Sequence, residues 1–146
     1  MGGKFYCANA GDSRCVLAQS INGKLVAKDL SVDNKPDDPK EKARIESSGG
    51  RVAPMEDQGE FFGPHRVWLK NKRLPGLAMS RAMGDTIAAS VGVLPNPEII
   101  EHDYVPGTDK FMILASDGVW ELYVRTVCFA SNGETLGGSL RLAYMQ

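Results

Sequence analysis

The chain has 146 residues, 42% of them hydrophobic and 24% charged, with a formal net charge of -1. That profile fits one soluble globular domain with room for a core. It excludes a sequence-independent grip on nucleic acid or acidic membrane, which needs a basic surplus, and no apolar run approaches the ~20 residues of a bilayer span.

The N-terminal stretch "MGGKFYCANAG" lacks the basic-then-apolar pattern of a secretory signal. Gly2 suggests myristoylation, but Tyr6 stands where that motif wants Ser or Thr. The expectation is an intracellular protein, cytoplasmic or nuclear. Cys7, Cys15 and Cys128 are too few and too unevenly spaced for a zinc site or a disulfide scaffold. Cys7 and Cys15 flank a turn and could face each other across a hairpin as a reduced, half-buried pair.

The first thirty residues read as a three-stranded meander: "KFYCANA", "RCVLAQ" and "LVAKDL". Asn22-Gly23 between the last two is a strong hairpin signal, because a type I′ turn needs positive φ at both central positions. In "PDDPKEKARIESSGG", Asp38 can cap a helix with Pro39 at its first position and Glu41 in capping-box register. The helix is expected to end near Ser47 or Ser48, with Gly49 as its left-handed exit. Its charges are expected to form a solvated face, leaving Ala43, Ile45 and the stem of Arg44 to meet a sheet.

"GRVAPM" and "PHRVWLK" read as strands around an irregular "EDQGEFFG" loop, followed by a turn at "NKRLPG". "LAMSRAMGD" fits either a short helical turn or a strand entering one. Glu98 to Tyr104 is expected as an edge strand after Pro97. Phe111 to Ser116 is expected as a central strand, buried throughout. The segment from Leu122 onward is apolar and glycine-dotted without a clean period.

Three aspartates stand where apolar runs meet glycine-containing turns: Asp12 in "NAGDSRCVL", Asp85 in "AMGD" and Asp117 in "FMILASDGVWE". Asp117-Gly118 between two β-prone runs is what a hairpin looks like. The chemical alternative is a carboxylate held at a strand end for Mg²⁺ or Mn²⁺, hard cations that take oxygen ligands. Two such ions about 3.5–4 Å apart can bind a phosphoryl group and activate a water. Spacing alone leaves both readings open.

The segments "ANAGDSRCVL", "PKEKARIESSGGRV", "GLAMSRAMGD", "GVLPNPEI" and "FMILASDGVWE" follow one another as in the protein phosphatase 2C family, the metal-dependent PPM-type phosphatases. The resemblance runs from about Phe5 to Glu121. It implies an α+β fold, a partial PPM-type β-sandwich of antiparallel sheets flanked by helices, over residues 1–123, with 124–146 as a divergent tail. It also implies hydrolysis of phosphoserine and phosphothreonine proteins with two or three Mg²⁺ or Mn²⁺ ions and a metal-bound water as nucleophile. Asp117 matches the aspartate that ligates the binuclear centre, and Asp12 the one associated with a third metal. Glu121 stands where many members have Asp, and Gly118 would let the strand turn away behind the metal.

Ser80, Arg81, Gly84 and Asp85 match a motif read as a structural buttress, with Arg81 in an ion pair. His65 and His102 match no catalytic position and are expected at the surface or in packing. Trp68 and Trp120 are expected to pack. The family's early Arg, Glu-Asp and Asp-Gly-His-Gly motifs and its late Asp-Asn motif do not occur in these 146 residues. "MEDQGE" lies after the helix and is not the Glu-Asp motif. The expectation is therefore a phosphatase by family that is catalytically incomplete as this chain. The alternative is a non-catalytic interaction or regulatory module on the same scaffold.

Overall fold

The computed structural model describes residues 3–121 and 142–144. The described residues divide into two units, one from 3–9, 13–32, 98–121 and 142–144, the other from 10–12 and 33–97. Most of the expected tail, 124–146, lies outside the described residues. Among the described residues no helix is long and apolar enough to cross a membrane.

In the first unit, β1 (Lys4–Asn9) pairs antiparallel with β7 (Glu98–Asp103), from Lys4 opposite Asp103 to Asn9 opposite Glu98. A four-stranded sheet runs in the order β3-β2-β8-β9, with β2 at Arg14–Ile21, β3 at Lys24–Asp29, β8 at Asp109–Ala115 and β9 at Leu142–Tyr144. Asn22 (φ 51°) and Gly23 (φ 77°) make the expected turn between β2 and β3. Both faces of β2 are covered. Val16 and Ala18 pack with Ile113 and Trp120, while Cys15 and Leu17 pack with Leu30, Cys7, Ile100 and Met112.

Two expectations fail in this unit. The meander does not form, because β1 takes β7 as its partner and leaves only β2 and β3 as a hairpin. Sequence proximity suggested the β1–β2 pairing. The intervening segment is held differently: the Gly11 amide donates to Asn34 Oδ1 (3.0 Å), and its carbonyl accepts from the Asn34 amide (2.9 Å). That pinned backbone closes no two-residue hairpin, so Cys7 and Cys15 do not face each other across one. Secondly, β8 is central but not buried along its whole length. Successive side chains point to opposite faces; Ile113 is buried, while Leu114 is 60% exposed.

In the second unit, α1 (Pro39–Ser47) begins as its sequence demands: Asp38 Oδ1 accepts from the amides of Lys40 (2.9 Å) and Glu41 (3.2 Å). Gly49 leaves the helix at φ 83°. A three-stranded antiparallel sheet follows, in the order β4 (Gly50–Asp57), β5 (Glu60–Leu69), β6 (Pro75–Leu77). The stretch expected as an irregular loop is a β4–β5 hairpin, turning at Gln58 (φ 50°) and Gly59 (φ 86°). Its exposed Phe61 and Phe62 break the alternation that would have marked a strand. A short α2 (Thr86–Ala89) completes the unit, and Ile45, Val52, Val67, Ala88, Val91 and Val93 form its core.

Candidate functional site

β8 ends at Ala115. Ser116, extended at φ -76° and ψ 172°, then leads into one helical turn, α3 (Asp117–Trp120). Asp117 is therefore the first residue of a helix and not the corner of a hairpin. The turn is closed by the Glu121 amide donating to the Asp117 carbonyl (2.8 Å). It is anchored by buried Trp120, whose indole Nε1 donates to the Ala115 carbonyl (2.8 Å). Trp120 thus packs as expected, and in packing it sets where Asp117 emerges. The Asp117 side chain is exposed at the end of a strand whose body is fixed by the core.

Gly118 and Glu121 are also exposed. Positions 117 and 121 are four apart on a helical turn, a spacing that brings side chains to the same side. The chain was expected to turn away at Gly118; in the structure it is already helical there, and a Cβ on Gly118 would meet nothing closer than Ser116 Oγ at 3.5 Å. The redirection comes from the change from extended to helical backbone between Ser116 and Asp117.

Asp12 belongs to the second unit. It is half-buried, and its Oδ2 accepts from Lys35 Nζ at 2.7 Å. This ammonium already balances the carboxylate charge that a cation would need. Among the described residues no three His, Cys, Asp or Glu side chains group closely enough to hold a metal ion. The described donors therefore do not fit a two-metal centre by themselves.

The segment from Ser80 to Asp85 is a clamp built on Glu41. Ser80 Oγ donates to Glu41 Oε2 (2.6 Å), and Arg81 donates to both carboxylate oxygens (3.1 and 3.0 Å). Arg44, one helical turn on from Glu41, donates to the same two oxygens (2.6 and 2.9 Å). Burial pushes the Glu41 carboxyl up, but hydrogen bonds from Arg44, Arg81 and Ser80 more than reverse this and hold it at about 2. The guanidinium groups continue outward, Arg44 to the carbonyls of Ser80 and Gly92, and Arg81 to the Asn96 carbonyl. Asp85 Oδ1 caps α2 by accepting from the Ala88 amide (2.9 Å), and Gly84 (φ 83°) precedes it on the exposed turn.

The ion pair expected of Arg81 is present. The expected solvated helix face holds for Lys40 and Glu46, which are exposed, but Glu41 is buried and Arg44 half-buried, and Ala43, expected against a sheet, is exposed instead. The missed signal was the spacing Glu41, Arg44, Ile45, which sets both charges beside a core residue on one helical face. The expected capping box is also replaced, because the Glu41 carboxylate goes to the two arginines and Ser80.

His65 lies at the surface, 3.8 Å from an Asp37 oxygen. His102 does more than pack. It is buried, Phe5 stacks on it with ring centroids 6.2 Å apart, and its Nε2 lies 2.8 Å from Asp109 Oδ2. Lys28 Nζ stands 2.9 Å from its Nδ1. Trp68 packs beneath Arg51 and donates from its indole to the Ala53 carbonyl (2.9 Å).

The protein phosphatase 2C family model matches residues 1–129. The probable protein phosphatase 2C 12 of Oryza sativa subsp. japonica is 50% identical over 79% of this chain and 29% of its own length. The probable protein phosphatase 2C 73 of Arabidopsis thaliana is 47% identical over 80% of this chain and 31% of its own. The chain thus spans under a third of each of these two relatives. Among solved structures, the serine-threonine phosphatase 2C from Toxoplasma gondii matches with a TM-score of 0.73 and 26% identity, covering 84% of this chain and 40% of that one. A phosphatase from a pathogenic strain of Toxoplasma gondii matches with a TM-score of 0.59 and 34% identity, over 81% and 32%.

Proposed function

Because this chain belongs to the protein phosphatase 2C family, we propose that it contributes to a metal-dependent protein serine/threonine phosphatase, acting on phosphoserine and phosphothreonine proteins with Mg²⁺ or Mn²⁺ as cofactor. The observation that carries this reading is the placement of Asp117, an exposed carboxylate on the first turn of α3, at the end of a strand seated in the core. A rigid strand holding a solvent-facing oxygen ligand is what a hard cation requires. Asp117 is the proposed primary ligand, with Gly118 beside it and Glu121 one turn further on. Asp12 is proposed for a further metal, which would have to displace Lys35.

The sandwich arrangement of the sheets and the division of the chain at residue 123 belong to the same proposal. So does an intracellular location, cytoplasmic or nuclear, which the free thiols of Cys7 and Cys15 support. The described carboxylates are too few for a two-metal centre, so the remaining ligands must come from outside the described residues. The 146-residue chain alone is proposed to be a poor catalyst or none.

The test is hydrolysis of a phosphothreonine peptide during a Mn²⁺ titration. The 146-residue chain is compared with a version joined to the N-terminal portion of a close relative. The joined protein is expected to turn over, and Asp117→Asn to lower kcat by about 10²-fold or more. An inactive joined protein that still binds a partner through this scaffold would favour the regulatory-module reading. Strong metal-dependent turnover by the 146-residue chain alone would refute its incompleteness.

A further inference from the structure

Cys7 and Cys15 are unbridged thiols on different strands, β1 and β2, that meet in one apolar cluster with Leu17, Leu30, Ile100 and Met112. Cys7 is half-buried on the inward face of β1, while Cys15 is 4% exposed and donates from Sγ to Met112 Sδ at 3.3 Å. Burial pushes the Cys15 thiol up to about 12, and the neighbouring Cys7 sulfur adds to the rise. The proposed hydrolysis uses neither sulfur.

We infer that Cys7 and Cys15 form an oxidisable dithiol, which hydrogen peroxide converts to a disulfide tying β1 to β2. Cys7, the more accessible sulfur, is the one the peroxide reaches. It loses its proton and attacks a peroxide oxygen; the O–O bond breaks, leaving a sulfenic acid on Cys7 and a hydroxide that takes up the proton as water. The Cys15 sulfur then attacks the Cys7 sulfur. The S–O bond breaks, and the hydroxyl leaves with the Cys15 thiol proton as a second water. Two thiols are oxidised by two electrons, and one peroxide is reduced to two waters.

The burial of Cys15 shields it from the peroxide, so that Cys7 is oxidised first and Cys15 is the sulfur that resolves it. The bond would form where Cys15 lies opposite Leu114 of β8, three residues before Asp117.

The inference is independent of the phosphatase reading and is tested on the full chain carrying Cys128→Ser. After one equivalent of hydrogen peroxide, the protein is alkylated with iodoacetamide, digested with trypsin and mapped without reduction. Cleavage after Lys4, Arg14 and Lys24 puts Cys7 on peptide 5–14 and Cys15 on peptide 15–24. The two are expected to be joined within one chain, about 2 Da lighter than their sum, and separated by dithiothreitol. In concentrated guanidinium the bond should form about tenfold more slowly, because the packing that unites the sulfurs is gone.

A Cys7→Ser variant should leave Cys15 unoxidised at that dose. A Cys15→Ser variant should leave a sulfenic acid on Cys7 that dimedone traps. Separate recovery of the peptides, with Cys7 over-oxidised and Cys15 alkylated, would overturn the inference. So would joining only between differently labelled chains, or an equal rate in denaturant.

Discussion

At residue scale, Glu41 is the group on which the second unit's polar contacts converge. One buried carboxylate accepts from two guanidinium groups and a hydroxyl, and those guanidiniums hold the carbonyls of Ser80, Gly92 and Asn96. Removing the anion would leave two cations facing each other with little water to screen them. Glu41→Ala is therefore expected to cost about 3–5 kcal/mol, read as the loss of midpoint in urea unfolding. Glu41→Gln, which keeps the shape and one acceptor, is expected to cost less than the alanine. An alanine variant within about 0.5 kcal/mol of the parent would show that the network is decoration. His102 presents a second polar knot, in the first unit. His102 Nδ1 lies 2.9 Å from Lys28 Nζ and its Nε2 lies 2.8 Å from Asp109 Oδ2, so both ring nitrogens have a hydrogen-bond partner. The carboxylate also accepts from Gln19 Nε2 and the Val105 amide. The site is fully partnered, which explains how an imidazole and an aspartate are both buried here.

At the scale of elements, starts and stops carry the local stability. The first turn of α1 is specified by its own sequence, with Asp38 holding two amides and Pro39 setting the next φ. Asp38→Ala is expected to destabilise by about 1 kcal/mol. Amide exchange in the first turn of α1 should accelerate, while β2 and β8 keep their protection. Unchanged exchange at Lys40 and Glu41 would count against the cap. β8 and α3 show the other side of element logic. The strand stops where Ser116 stays extended and the next residue turns helical, and Trp120 folds back onto the Ala115 carbonyl. The Asp-Gly pair that reads as a hairpin corner sits in a helix because the apolar surface of Trp120 and Val119 finds the β2–β8 face.

Over the whole chain, acid is expected to act through its shifted carboxylates. The Glu41 carboxyl is held at about 2 against an ordinary 4.5. Asp109 is also lowered, since burial pushes it up but the bonds from the Val105 amide, Gln19 and His102 outweigh burial. A folded-state value below the unfolded one means that the unfolded chain binds the proton first. The stabilisation is therefore complete above the unfolded values and is lost as pH falls through the folded ones. Thermal midpoints should be nearly level from pH 7 to about 5 and then fall steeply toward pH 2. Glu41→Gln should flatten the low-pH limb while starting from a lower midpoint. A parallel acid limb in that variant would remove Glu41 from the explanation.

Much of the family and local structure was legible in the 146 letters. Asn22-Gly23 and the Asp38-Pro39 start could be read because the φ values and capping bonds they impose involve only a few adjacent residues. The five ordered motifs pointed to the phosphatase family for a similar reason: each is a short run with a recognisable composition. Tertiary structure alone decided that β1 pairs with β7, that Glu41 is the buried hub of two arginines, that "EDQGEFFG" is paired strand and that Cys7 meets Cys15 without a hairpin. Those outcomes depend on which distant surface removes each side chain from water, and short-range periodicity carries no information about a partner tens of residues away.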